Sequence, residues 1–164
     1  MNTNLYIFLD IDGVLNTRNH LIRQKKETGK CSSKDWCPIA CNNILRLCKK
    51  FGARIIVSSS WRHQYSLEKL KAFFELNGIP SDYIIGTTPA TAEQSDNRNY
   101  CRGHEVKQWL NTNKEPNASY LIIDDDYDML ESQLNNFVHV TLDEGFSSSQ
   151  AMIQAIQIVN KQRV

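Results

Sequence analysis

The chain has 164 residues, and 19 basic residues nearly balance 18 acidic ones, leaving a net charge of +1. That length suits about one domain with a single sizeable core, and near-neutrality removes bulk charge as an argument for a polyanion partner. No apolar run approaches the roughly 18–20 residues of a membrane span, and no basic stretch followed by an apolar signal core opens the chain. The expectation is one cytoplasmic domain over 1–164. Five cysteines, Cys31, Cys37, Cys41, Cys48 and Cys101, are odd in number and loosely spaced. Without a CxxC pair or a His at finger spacing they read as reduced, mostly buried thiols, not as a disulfide framework or a zinc site.

Taken in order, the chain alternates strand and helix patterns. Leu5 to Leu9 is a continuous apolar run, the mark of a strand buried on both faces, and it ends in Asp10-Ile11-Asp12-Gly13. A polar, basic loop is expected from about Thr17 to Trp36. A helix is predicted from Pro38 to Phe51, with proline suited to its first turn and Gly52 to its exit. Ala53 to Ser58 reads as a second strand. Ser66 caps a helix through Leu76, and Asn77-Gly78 stops it. Tyr83 to Gly86 suggests a short strand, 87–103 is polar and irregular, and a helix is expected over about Gly103 to Thr112. Ser119 to Asp124 and Phe137 to Val140 are further strands, and a helix from Ser147 to Asn160 closes the chain. Strands separated by helices of this length build βαβ units, so the fold class is α/β, a three-layer sandwich around a mostly parallel sheet.

Polar residues gather where these strands end. Asp10 and Asp12 follow the first strand, Ser58, Ser59 and Ser60 the second, and Asp124, Asp125 and Asp126 a later one. Parallel strands bring such ends to one edge, where open α/β sheets hold their ligands. Asp10 and Asp12 are spaced i, i+2 and point the same way, so they repel unless a cation or proton lies between them. Several carboxylates at one point suit a hard divalent cation such as Mg²⁺ together with phosphate. A carboxylate can also attack phosphorus, a second can move the proton, and serine hydroxyls can hold phosphoryl oxygens.

Leu9-Asp10-Ile11-Asp12-Gly13-Val14-Leu15 resembles the first motif of the haloacid dehalogenase (HAD) superfamily of Mg²⁺-dependent phosphohydrolases. Ile55-Ile56-Val57-Ser58 resembles its second motif, and Ile122-Ile123-Asp124-Asp125-Asp126-Tyr127-Asp128 its fourth. Ser59-Ser60-Trp61-Arg62, the Arg102 to Leu110 stretch and Gly145-Phe146-Ser147 are similar to a HAD subgroup that includes domains associated with RNA repair. They also resemble the 3′-phosphatase half of polynucleotide kinase-phosphatases.

The resemblance implies a Rossmann-like HAD fold and an aspartyl-phosphate mechanism. Asp10 would be the nucleophile and Asp12 the general acid/base. Mg²⁺ would be held by Asp10, Asp124 and the Asp12 main-chain carbonyl, with Asp125 or Asp128 in support. Ser58, Ser59 and Arg62 would bind phosphate, and either Arg102 or Lys107 would be the third-motif cation. It further implies that the basic segment 17–36 is a flap over the site; an ordinary solvated loop is the other reading. The stretch 63–101 leaves room for only a small insertion, so the site would be open. By the same resemblance an open site suits macromolecular or end-group phosphomonoesters, such as a nucleic-acid end or a phosphopeptide; a small phosphate ester, a nucleotide or sugar phosphate, is the alternative.

Two other acid-rich architectures fit less well. Receiver domains and Toprim domains place their paired acids on other strands than the first. A catalytically inactive module is the remaining alternative. Asn16 is expected to order its loop, and Trp61 to pack with its N–H satisfied locally.

Overall fold

Every residue of the first strand, β1 (Leu5–Leu9), is buried, because sheet neighbours flank it on both sides and helices cover both faces. The structure, a computed structural model, describes residues 5–90, 102–113, 115 and 117–163; Cys101 and most of the expected irregular stretch, 91–101, lie outside the described residues. After β1 come α1 (Arg18–Thr28), α2 (Pro38–Phe51), β2 (Arg54–Val57), α3 (Leu67–Leu76), β3 (Ile84–Thr87), α4 (Arg102–Thr112), β4 (Ser119–Asp124), β5 (Phe137–His139) and α5 (Ser149–Gln162). The strands form one sheet in the order β3-β2-β1-β4-β5, and every pairing is parallel.

Alternation along β1 divides the core between two faces. Leu5, Ile7 and Leu9 join Ile44 and Leu47 of α2, Phe74 of α3 and Val159 of α5. Tyr6 and Phe8 face the other way, onto Val106, Trp109 and Leu110 of α4. Phe8 meets Trp109 edge to face at 5.5 Å. Each fully buried large side chain contributes roughly 1.5–3 kcal/mol, so the sheet is fixed from both sides. This is the expected three-layer α/β/α sandwich, and most of its helix ends fall at the residues that signalled them. Pro38 opens α2, the Ser66 hydroxyl accepts from the Lys69 N–H, and Gly52 exits α2 with φ 64°. The 63–101 stretch contributes α3 and β3 to the sandwich itself.

One segment departs from expectation. Residues 18–28 form the helix α1 where a loop was expected. None of its residues is buried, so its sequence carries no strong apolar period. Its caps are nevertheless legible: the Thr17 hydroxyl accepts from the His20 N–H, and Gly29 terminates the helix with φ 73°.

The strand order sets the site. From β1 the chain winds outward through β2 to β3, then crosses back to β4 on the opposite side of β1. β1 and β4 therefore flank the point where the winding reverses, and their C-terminal ends border a crevice.

Candidate active site

Hydrogen bonds at the sheet edge hold the strand ends level. The Asp10 N–H donates to the Ile123 carbonyl at 3.1 Å, and the Ser58 N–H to the Leu9 carbonyl at 3.0 Å. Asp10 and Asp124 thus emerge side by side at the reversal point, with Asp125 next in the chain. Oxygens of these three carboxylates lie within 4.8 Å of one another. Asp10 is 5% exposed and Asp124 fully buried. Arg102, the first residue of α4, reaches in between them. Its Nη1 lies 2.5 Å from Asp124 Oδ2 and 3.3 Å from Asp10 Oδ2. Asp128 supports that placement, because its Oδ2 accepts from the Arg102 backbone N–H at 3.1 Å.

Among the described residues one guanidinium faces the three carboxylates and cannot balance them, and their protonation reflects it. Burial raises the Asp10 carboxyl above the ordinary range, against the pull of Arg102 and hydrogen bonds from the Ile11 N–H and the Ser59 hydroxyl. Burial, then the charge of Asp10, pushes Asp124 up to about 8. Asp125 is raised to about 6 by burial and by Asp10 and Asp126. For Arg102, burial favours losing the proton, but Asp10 and Asp124 outweigh it and raise its pKa.

Asp12 is not one of these three clustered acids and is exposed, although its charge adds to the upward push on Asp10. Its Oδ1 accepts from Asn16 Nδ2 at 2.6 Å and its Oδ2 from Trp61 Nε1 at 2.9 Å. Asn16 orders the loop, as expected, by also accepting the Gly13 N–H. Trp61 differs from expectation: its N–H is spent across 49 residues of sequence on the second motif-one acid. Gly13 has φ 71°, and a Cβ there would collide with Asp125 Oδ2. Only glycine lets the turn after β1 approach the acids from β4.

A family model for the HAD domain in Swiss Army Knife RNA repair proteins matches residues 6–151. The chain belongs to the HAD superfamily. Neither a curated protein nor a solved structure gave a match. The acid cluster at the β1 and β4 ends is where this HAD domain concentrates its oxygen donors, and an all-oxygen set with excess negative charge fits a hard divalent cation.

Other residues of the HAD domain assemble around that cluster in different ways. Ser58 and Ser59 are fully buried at the end of β2. Ser59 binds Asp10, whereas Ser58 Oγ has no partner among the described residues. Beside Ser58, the Thr88 N–H pairs with the Val57 carbonyl, and the Thr88 hydroxyl is likewise buried and unpartnered among the described residues. Thr88 escaped sequence reasoning because it follows the short edge strand β3.

Arg62 is committed elsewhere in the fold. Its Nη1 donates to the Ser58 and Ser59 carbonyls at 2.7 and 2.8 Å, and its Nη2 meets Glu105 Oε2 at 2.5 Å. Among the described residues the buried Arg62 Nε has no partner. Glu105 is fully buried, a cost that Arg62 offsets. Glu105 and Trp109 are i, i+4 on α4 and share its inner face, which is the signal that a buried acid was looking for a cation. Glu105→Ala strands the Arg62 charge and is expected to cost about 3–5 kcal/mol. For a chain of this size that lowers Tm by roughly 6–20 °C, read by thermal denaturation; an unchanged Tm would contradict it.

Lys107 does not join the site. It is exposed and lines a separate cavity with Leu110, Asn111, Tyr120, Ser132 and Gln133, whereas Arg102 meets the acids. Among the described residues no histidine enters the cluster. Cys37, Cys41 and Cys48 are buried, and burial pushes the Cys41 and Cys48 thiols up to about 12. A cavity of about 420 Å³ opens beside Asp12, Gly13 and Asn16, walled by Leu21, Ile22 and Leu142, with Arg18 and Lys25 from α1.

Proposed function

We propose that this HAD domain is a Mg²⁺-dependent phosphomonoesterase that works through an aspartyl-phosphate on Asp10. The observation that carries this reading is the meeting of Asp10 with Asp124, Asp125 and Arg102 at one strand edge, with Asp12 two residues on. An Asp10 oxygen attacks phosphorus while Asp12 gives its proton to the departing ester oxygen, and the P–O ester bond breaks. Asp12 then takes a proton from water, which attacks the same phosphorus and releases Asp10 and inorganic phosphate. Arg102, beside Asp10, would offset phosphoryl charge, and the Ser58 hydroxyl, unpartnered among the described residues, would donate to a phosphoryl oxygen. Bound Mg²⁺, held by Asp10, Asp124, Asp125 and the Asp12 main-chain carbonyl, would supply the remaining charge neutralisation.

The substrate reading is an accessible phosphomonoester, foremost a nucleic-acid end. The matched family model is described from RNA repair proteins, and α1 offers Arg18, Arg23, Lys25 and Lys26 against Glu27 alone. Cations on a solvated helix attract phosphodiester chains. A second reading, a small phosphate ester, has its own support: about 420 Å³ lies within the roughly 300–1,000 Å³ of small-molecule sites. A Mg²⁺-supplemented screen of 3′-phosphorylated oligonucleotides, phosphotyrosine peptides, nucleotides and sugar phosphates tests both. Oligonucleotide turnover with the highest kcat/KM is the expected result. Activity confined to sugar phosphates would overturn the nucleic-acid reading, and no turnover of any ester would overturn the enzyme.

A further inference from the structure

Asp12 is an exposed side chain, yet each of its oxygens accepts a hydrogen bond from a buried donor. Asn16 is 5% exposed and Trp61 is 6% exposed. Asn16 is locked in turn: its Nδ2 also donates to the Ser33 carbonyl at 3.2 Å, and its Oδ1 accepts the Gly13 N–H at 3.0 Å. The Trp61 ring is wedged among Trp36, Tyr65 and Phe73, with centroids 6.1, 5.5 and 5.7 Å away. An indole has one donor. This indole is fixed by packing before it meets the carboxylate, and it gives its single N–H to Asp12.

We infer that Trp61, together with Asn16, is a positioning residue for the general acid/base, holding the Asp12 carboxyl group in one orientation at the wall of the cavity it lines, toward the departing oxygen of the ester. The inference rests on the acid/base role proposed for Asp12. A general acid must lie within hydrogen-bond reach of the oxygen it protonates, roughly 2.6–3.2 Å. An exposed aspartate without fixed donors samples several rotamers, and most of them miss. Two rigid donors on opposite oxygens select one orientation. Both donors end on Asp12, so their proposed effect on the reaction runs through that carboxylate.

The consequence depends on the leaving group. An alkyl ester needs its departing oxygen protonated, whereas p-nitrophenolate leaves largely without help. The step that transfers phosphorus to Asp10 and expels the alcohol is read by kcat/KM. Trp61→Phe keeps an aromatic ring and removes the N–H. General acid–base catalysis contributes typically 10²–10⁴-fold, so loss of one of two holding bonds should cost about 30-fold in kcat/KM on an alkyl phosphate. The loss on p-nitrophenyl phosphate should be at least about tenfold smaller. Equal losses on the two esters in a folded, active variant would overturn the positioning role.

If Trp61→Phe does not fold, the bond is read from the other side. In Asp12→Ala, which truncates an exposed side chain, the Trp61 indole N–H resonance should shift and exchange faster with solvent. An unmoved resonance overturns the inference. Absence of wild-type turnover on both esters would overturn the phosphatase reading itself, a result distinct from equal losses in an active enzyme.

Discussion

Asp10→Asn is expected to lower phosphatase turnover by on the order of 10⁴-fold or more, leaving the fold intact. The amide matches the carboxylate in shape but cannot attack phosphorus, so the loss falls on kcat and KM changes little. Stability should move the opposite way. Asp10 sits beside Asp124 and Asp125 with, among the described residues, Arg102 alone to offset them, and its carboxyl is raised by burial. A neutral side chain relieves that repulsion, so metal-free Asp10→Asn should melt at or above the wild-type temperature at pH 8. A variant that loses activity and melts well below wild type would mean that Asp10 holds the fold together instead of doing chemistry. Steady-state kinetics and thermal denaturation of one preparation separate the two.

Mg²⁺ should stabilise the protein more at pH 8 than at pH 6. The sign follows from the direction of the shifts. Asp124 has a folded pKa of about 8 against an ordinary value of 3.8. A raised folded pKa contributes stability that is complete below the unfolded value and lost as pH rises through the folded one. Asp125, raised to about 6, adds the same trend at lower pH, discounted because it is partly exposed. Metal-free protein should therefore lose stability from pH 6 to 8. A divalent cation competes with these protons, so its affinity grows over the same interval. At 100 times Kd the cation contributes about 2.7 kcal/mol, or roughly 5–10 °C in Tm. Melts in EDTA and in excess Mg²⁺ at both pH values read it, and Asp124→Asn should abolish most of the shift. A Mg²⁺ effect that shrinks toward pH 8 would place the cation elsewhere.

Much of the fold and the acid cluster was legible in the chain, for definite reasons. β1 and β4 are continuous apolar runs ending in carboxylates, and the βαβ rhythm leaves one way to align such ends. Capping residues such as Pro38, Ser66 and Gly52 are local signals and located their helices. α1 was missed because its stability shows no apolar stripe, only the Thr17 and Gly29 caps. Trp61–Asp12 and Arg62–Glu105 join residues 49 and 43 positions apart, and pairings of that range are products of tertiary packing, with no local pattern to announce them. The choice between Arg102 and Lys107 turned on helix phase: Arg102 opens α4 against the acids, while Lys107 faces solvent.

The central claim is that Asp10 becomes covalently phosphorylated, and one measurement tests it most directly. Enzyme turning over a phosphomonoester in Mg²⁺ is quenched in acid, reduced with borohydride, digested and mapped by mass spectrometry. Borohydride converts an aspartyl-phosphate to homoserine, so the account predicts homoserine at position 10 in wild type and none in Asp10→Asn. Active enzyme that yields an unmodified Asp10 peptide, or homoserine at Asp12 or Asp124 instead, would contradict it.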